Sequence, residues 1–225
     1  ITVEKRNLPL IHTQVVFKSG SAADPESLPG LAGFTAAVLK TGTTTRSAQI
    51  LSDEVETRGS FIRSSVAEDA TSFSFSSLSE NYQGVLNILG DILQNPSFNE
   101  DEIKRQRVQR LTSLTQGKDD PRQIAGRVFK KSIFGNHPYG HNVLGTEEAL
   151  KAITAKELKN YYGDHIRPAN AAIIVVGDIT ASEAKTAIQA TFGQWSSEAG
   201  ILDAPAKPNP NSTGIFMVDK PGSAQ

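Results

Sequence analysis

Hydrophobic residues recur along the chain with two different periods, which predict a domain of strands and helices. In residues 71–78, Phe73 and Phe75 share one face while serines fill the other. This alternation is typical of an antiparallel strand with one face on the core and one near water. Strands are predicted also over residues 10–18, 61–66 and the almost wholly apolar run 171–177.

Apolar residues at helical spacing predict the helices. The most regular stripe lies in residues 81–93, which Asn95-Pro96 ends. Thr154-x-x-Glu157 and Thr180-x-x-Glu183 are capping-box patterns that each open a helix. The other predicted helices cover residues 30–40, 47–58, 99–115 and 121–133. The fold class is therefore α+β, with two layers: a mainly antiparallel sheet whose one face, carrying Phe73 and Phe75, is covered by helices.

The distribution of prolines predicts how the chain is divided. Residues 1–203 form one domain, and residues 204–213 are a proline-rich linker. Residues 214–225 are predicted to hold the first strand of a following, truncated domain. The chain begins at Ile1 rather than Met, so we expect a processed product or a piece of a longer protein.

Charge and composition exclude several classes of function. Lys and Arg number 23 against 24 Asp and Glu, for a net charge of -1, so no general attraction to nucleic acid is expected. The chain has no Cys, which excludes disulfides and thiolate metal sites. Its longest apolar run is far shorter than the roughly 20 residues of a membrane-spanning helix. It also has no glycine-rich phosphate loop.

One pair of histidines has a spacing that zinc enzymes use. His137 and His141 lie four residues apart, but Pro138 and Gly140 stand between them. Because a regular helix is excluded there, we predict that the two rings do not share a metal and that Tyr139 packs inward. An enzyme with zinc ligands relocated to His137, His141 and either His12 or His165 is one alternative.

A second candidate is a run of basic residues on one predicted helix. Lys104, Arg107 and Arg110 lie close together in angle, and Arg105 is beside them. No aromatic residues are interleaved and acidic residues precede the run. A solvated helix face is therefore favoured over contact with nucleic acid.

The order of short motifs resembles the pitrilysin/insulinase family of zinc metallopeptidases (M16), which includes mitochondrial processing peptidase. The matching segments, in chain order, are residues 17–25 (FKSGSAADP), 30–34 (GLAGF), 41–43 (TGT), 95–98 (NPSF), 119–121 (DDP), 137–140 (HPYG), 144–146 (LGT), 153–154 (IT), 161–162 (YY), 167–170 (RPAN), 175–178 (VVGD), 192–195 (FGQW) and 218–225 (VDKPGSAQ). The resemblance implies the two-layer LuxS/M16 metallopeptidase-like fold.

The same resemblance implies a lost zinc site. The family carries HxxEH on its first catalytic helix, where two His bind zinc and the Glu is the general base. Laid on residues 30–39, this motif puts Gly33, Ala36 and Ala37 at the first His, the Glu and the second His. The third ligand, a Glu in a later helix, falls on or beside Ser113. None of these residues is a suitable ligand or base, so we expect no catalytic residues, no cofactor and no zinc in this chain.

The family resemblance also implies a role for such a domain. The chain is most like the inactive C-terminal half of a long bacterial zinc protease, in which two halves enclose a peptide chamber. Its expected partners are an active HxxEH-bearing half, in the same chain or a separate subunit, and an extended peptide substrate. The alternative is a purely architectural domain that packs on an active half without touching substrate. The resemblance favours the bacterial periplasm or cell envelope as its location.

Overall fold

A single five-stranded sheet is present in the computed structural model, which describes residues 1–197, 207 and 214–219. The strands are β1 (Thr2–Glu4), β2 (Leu10–Phe17), β3 (Arg63–Val66), β4 (Thr71–Leu78) and β5 (Ala171–Gly177). Their order across the sheet is β1-β5-β2-β4-β3. Only β1 and β5 pair in parallel, and the other neighbours are antiparallel. The mainly antiparallel sheet is confirmed. Strand β1 was not predicted, because three residues are too few to show an alternation.

Helices surround one face of this sheet. They are α1 (Leu31–Leu39), α2 (Ala48–Thr57), α3 (Tyr82–Gln94), α4 (Glu100–Gln116), α5 (Pro121–Phe134), α6 (Glu147–Ala152), α7 (Ala155–His165) and α8 (Ala181–Phe192). All predicted helices are found within one or two residues of their expected ends. Both capping boxes form, at Thr154 and at Thr180. Helix α6 is additional, and its six residues are too few to show a periodic stripe.

The core lies between the helices and the inward face of strands β2 and β4. The register pairs Val15 with Phe73 and Thr13 with Phe75, and all four are buried. The ring of Phe75 lies 6.0 Å from that of Tyr82 at the start of α3. Serines occupy the other face of β4, where the side chains are partly exposed. The two-layer α+β fold, with its phenylalanines under the helices, is therefore confirmed.

The last described residues bear on the predicted domain boundaries only in part. Trp195 packs edge-on against Phe17 at 6.1 Å and near Phe192 at 5.9 Å, which attaches the end of the domain to the sheet. The predicted linker, residues 204–213, lies outside the described residues except for Lys207. Residues 214–219 are described without strand pairing, so the predicted strand of a following domain stays a prediction.

No described helix combines the length and apolarity needed to cross a membrane.

Candidate functional site

The residues that precede α1 fix where this helix begins. Both carboxylate oxygens of Asp24 accept backbone hydrogen bonds, from the amides of Gly30 and Ala32, each at 2.7 Å. These are amides that the helix itself cannot pair. Burial raises the pKa of Asp24 to about 7, and the amides together with the charge of Arg110 offset part of that rise. Asp24 is thus a buried anchor for the start of α1.

A close backbone contact fixes the same helix from the other side. Gly30 has φ +94° and Gly145, in the loop before α6, has φ +93°. A Cβ on Gly30 would lie 2.6 Å from the Cα of Gly145, and a Cβ on Gly145 would lie 2.4 Å from the Pro29 carbonyl oxygen. Side chains rarely adopt such φ values and have no room here. Two of the matched motifs, GLAGF and LGT, therefore meet backbone to backbone.

Helix α1, strand β3 and helix α4 line an open pocket of about 300 Å³ beside this contact. We call it the Arg110 pocket, and its lining residues are Gly33, Ala36, Ala37, Ser64, Val66, Arg110, Val143 and Leu144. The structure thus brings together three of the four positions at which the family resemblance places zinc ligands or the base. Gly33 and Ala36 are buried and Ala37 is half-buried.

The fourth position, Ser113, is not part of this pocket. Its side chain is exposed, and its hydroxyl donates to the Gln109 carbonyl at 3.0 Å within α4. The residue of α4 that faces α1 one turn earlier is Arg110, whose Nη2 is 2.7 Å from the position a Cβ on Gly33 would take. A cation therefore stands next to the place where the family resemblance puts a zinc ligand.

The guanidinium of Arg110 is held loosely. Its Nη2 donates to the carbonyls of Val143 and Leu144 at 3.4 and 3.3 Å, and its Nε is shielded from water and donates to no described residue. Burial lowers the pKa of Arg110 to about 10, and the charge of Asp24 offsets part of this effect. The side chain remains a cation at neutral pH.

The pocket does not fit a zinc ion. Gly33, Ala36 and Ala37 have no side-chain donor atoms, while zinc in proteins is held by imidazole, thiolate or carboxylate groups. The nearby positive charge of Arg110 opposes a divalent cation. Within the described residues, no cluster of three or more His, Asp or Glu side chains could hold a metal.

The interpretation of the basic run as a solvated face is wrong for two of its four residues. Arg107 reaches across to the end of α6, where it donates to the carbonyls of Lys151 and Ile153 at 3.0 and 2.9 Å. Arg107 and Arg110 both lie over the Phe34 ring, at 5.6 and 5.8 Å from its centroid. Both therefore face the protein interior.

The other two residues behave as predicted. Lys104 and Arg105 are exposed, and they pair with Asp101 and Glu102 one turn before them at 3.0 and 2.6 Å.

The histidines are distributed over different parts of the fold. His137 opens a short 3-10 turn, Pro138–Gly140, and its Nδ1 accepts from the Tyr139 amide at 3.2 Å. His141 follows this turn, and burial lowers its pKa. His12 contacts Ser76 on the sheet, and His165 contacts Ser19. The turn supplies no common helical face for a shared metal.

Tyr139 is turned only partly inward. Its ring packs against Phe134 at 5.6 Å, while its hydroxyl donates to the exposed carboxylate of Asp69 at 2.7 Å.

Comparisons with known proteins identify the family to which this chain belongs. Residues 2–147 match the model for insulinase (peptidase family M16), and residues 152–225 match that for the peptidase M16 inactive domain. The chain therefore belongs to the M16 peptidase family.

Individual relatives agree with this assignment. An uncharacterized zinc protease of Rickettsia felis is 26% identical over 182 residues, covering 80% of this chain and 44% of the relative. The uncharacterized zinc protease YmxG of Bacillus subtilis is 26% identical, with 79% and 43% covered. The crystal structure of a peptidase M16 inactive domain from Pseudomonas fluorescens superposes with a TM-score of 0.82 at 25% identity, covering 92% of this chain and 51% of that one. The chain spans about half the length of these relatives.

Sequence reasoning missed the roles of Arg107, Arg110 and Asp24. The spacing of Ile103, Arg107, Arg110 and Leu114 places two arginines on the same helical face as two apolar residues, and both of these are buried. This periodicity was the available signal for an inward-facing stripe. Asp24 gave no comparable signal, since it lies seven residues before α1 and reaches the helix only through the turn between them.

Proposed function

We propose that this chain is a noncatalytic domain of an M16-type zinc metallopeptidase. It forms part of a substrate chamber and supports peptide binding, while zinc and the general base reside on an active partner half. The observation that carries this proposal is the Arg110 pocket, where glycine, alanine and a guanidinium lie in the region to which the family resemblance assigns the metal. Neither a zinc-bound water nor a base to deprotonate it can be assembled from such residues.

Support for peptide binding comes from the edge of the sheet. In the described part of the chain, β3 pairs with β4 alone and lies at the end of the sheet. An extended peptide can add to such an edge through backbone hydrogen bonds that tolerate many sequences. Ser64 and Val66 of this strand also line the Arg110 pocket. The edge and the pocket therefore form one continuous surface.

An experiment on the isolated chain tests the noncatalytic part of the proposal. We expect no stoichiometric zinc by elemental analysis, and no cleavage of a quenched fluorescent peptide with or without added zinc. Chelator-sensitive cleavage that persists through repeated purification, together with one bound zinc per chain, would refute it.

A second candidate function is purely architectural, and helix α5 favours it. This helix buries none of its residues, and Phe129 and Ile133 are exposed on it. An apolar face of this kind is typical of a surface that packs on another domain. In this alternative the chain positions an active half and makes no contact with substrate.

Crosslinking separates the two functions. A peptide carrying a photoreactive group is bound to the assembly of this chain and its active half, and the crosslinked residues are identified by mass spectrometry. Crosslinks to β3 or the Arg110 pocket are expected for the chamber function. Crosslinks confined to the active half would favour the architectural function.

A further inference from the structure

Arg110 is a half-buried cation with unused hydrogen-bond donors. A guanidinium has five N–H groups, and here the recorded bonds use only Nη2, at the long distances of 3.3 and 3.4 Å. The Nε group is shielded from water and has no acceptor among the described residues. Leaving such a donor unpaired is unfavourable. Arg110 lines the pocket, so an acceptor that entered it can pair with the Nη groups of the guanidinium.

The pocket has room for an acceptor. Its volume of about 300 Å³ exists because Gly33, Ala36 and Ala37 place almost no side chain between α1 and the guanidinium. Val66 and Leu144 provide apolar walls. A small anionic group with an attached chain therefore fits better than a fully hydrated ion.

The charge of the site selects a monoanion. The acidic group that interacts electrostatically with Arg110 is Asp24, and both oxygens of Asp24 already accept from the amides of Gly30 and Ala32. Asp24 thus reduces the positive potential without satisfying the guanidinium donors. A dianionic phosphate would face one cation and one nearby carboxylate. A carboxylate matches both the single charge and the planar, two-pronged geometry of the guanidinium.

We propose that the Arg110 pocket binds a carboxylate of an extended peptide that lies along β3. Ser64 and Val66 of the edge strand line the pocket together with Arg110, so a peptide on the strand edge can place a carboxylate against Arg110. The carboxylate comes either from the peptide C-terminus or from a Glu or Asp side chain. The peptide part of this inference rests on the proposed function, whereas the carboxylate site does not.

Three peptides distinguish the sources by titration against the 225-residue chain in a calorimeter. The first is an N-acetylated apolar hexapeptide with a free C-terminus, the second is its C-terminal amide, and the third is the amide with one internal Glu. We expect the first, the third or both to bind at least 10-fold more tightly than the second, and whichever does so identifies the source.

Variants assign the preference to the pocket. Arg110→Gln should abolish the difference between acid and amide, whereas Arg105→Gln, the same change on the exposed face of the same helix, should keep it. Ala37→Leu fills the pocket without removing a charge and should weaken the carboxylate-bearing peptides alone. The Ala37→Leu variant remains informative if Arg110→Gln does not fold. Equal binding of all three peptides would overturn the inference and leave the proposed function intact.

A separate titration covers the case in which no peptide binds, which would count against the proposed function. Sodium acetate is added to labelled protein, and the Nε–Hε signal of Arg110 is followed by NMR, identified by its absence from Arg110→Lys. A saturable shift of this signal, absent with sodium chloride, would support the carboxylate site. No shift, or the same shift with chloride, would refute it.

Discussion

In both α1 and α5 an aspartate carboxylate accepts a backbone amide of the first turn, yet the two helices differ in burial. Asp24 caps α1 from a buried position, and eight of the nine residues of this helix are buried. Asp120 caps α5 near the surface through the Arg122 amide, and α5 buries none of its fourteen residues. One helix is enclosed by its own domain, while the other presents apolar side chains to solvent.

The two helices differ in how firmly the described part of the chain holds them in place. The α1 residues to which the family resemblance assigns the zinc motif have no metal-binding side chains, and the helix is held by a buried carboxylate and by the Gly30–Gly145 contact. This packing places the small residues Gly33, Ala36 and Ala37 beside the Arg110 pocket. Helix α5 is held less tightly by the described part of the chain: Phe134 packs on Tyr139 at 5.6 Å, and Phe216 and Val218 line a pocket together with Phe129.

The largest expected effect contrasts one aromatic residue on each helix. Phe34 is fully buried under Arg107 and Arg110, so Phe34→Ala should destabilise the chain by about 3–5 kcal/mol. Phe129 is 64% exposed, so Phe129→Ala should change stability by no more than about 0.5 kcal/mol. Urea unfolding measures both. Similar losses for the two variants would remove the distinction between the helices.

A second prediction concerns the backbone contact beside α1. Gly145→Ala requires a strained φ and a collision with the Pro29 carbonyl, and it should cost about 3 kcal/mol or more. Gly59 also has a positive φ, but a Cβ there meets nothing within 4 Å. Gly59→Ala should therefore cost only about 1–2 kcal/mol. Equal costs would mean that the loop yields easily and does not hold α1.

The third prediction is a pH dependence that originates at α1. Burial raises the pKa of Asp24 from 3.8 to about 7, so the folded state holds this proton more tightly than the unfolded state does. Stability from this group is therefore greatest below about pH 4 and falls as the pH rises towards 7, by at most about 1.4 kcal/mol per pH unit. Asp24→Asn should flatten this slope in urea unfolding between pH 5 and 8.

Asp120→Asn is the control for that measurement. Hydrogen bonding to the Arg122 amide lowers the pKa of Asp120, so its contribution changes only at acidic pH. The slope between pH 5 and 8 should survive this substitution. If Asp24→Asn also left the slope unchanged, the carboxylate of Asp24 would not be the group that titrates.

The smallest expected effect is a gain in stability. Gly126 lies within α5, and a Cβ on it would meet nothing within 4 Å. Gly126→Ala should therefore stabilise the chain by about 0.5–1 kcal/mol through helix propensity alone. The change in Tm measures this effect. A loss of stability would show that α5 is packed more tightly than its exposed residues indicate.

The sequence was sufficient for most of the architecture because long periodic segments dominate it. The alternation around Phe73 and Phe75 and the two capping boxes depend only on neighbouring residues, and they form as predicted. The three-residue strand β1 and the six-residue helix α6 lack the length to show a period. Such elements depend on partners that are distant in sequence.

Of the residues that line the Arg110 pocket, the sequence singled out only those that lack a metal-binding side chain. The motif alignment located Gly33, Ala36 and Ala37, and the structure gathers all three in one pocket. The alignment could not show that Arg110, rather than Ser113, is the residue of α4 that meets them. The direction of a side chain on α4 depends on the helix rotation, which is set by the burial of Ile103 and Leu114.

Helix α6 shows how folding steps are coupled in this domain. Six residues are far fewer than the roughly 12–15 that make even a marginal isolated helix. The carbonyls of Lys151 and Ile153, at and just beyond its end, accept hydrogen bonds from Arg107 of α4. We therefore expect α6 to be unstable as a helix until α4 has packed against it. The amide protons of α6 should exchange with deuterium no more slowly than those of α4, and both should open as one cooperative unit.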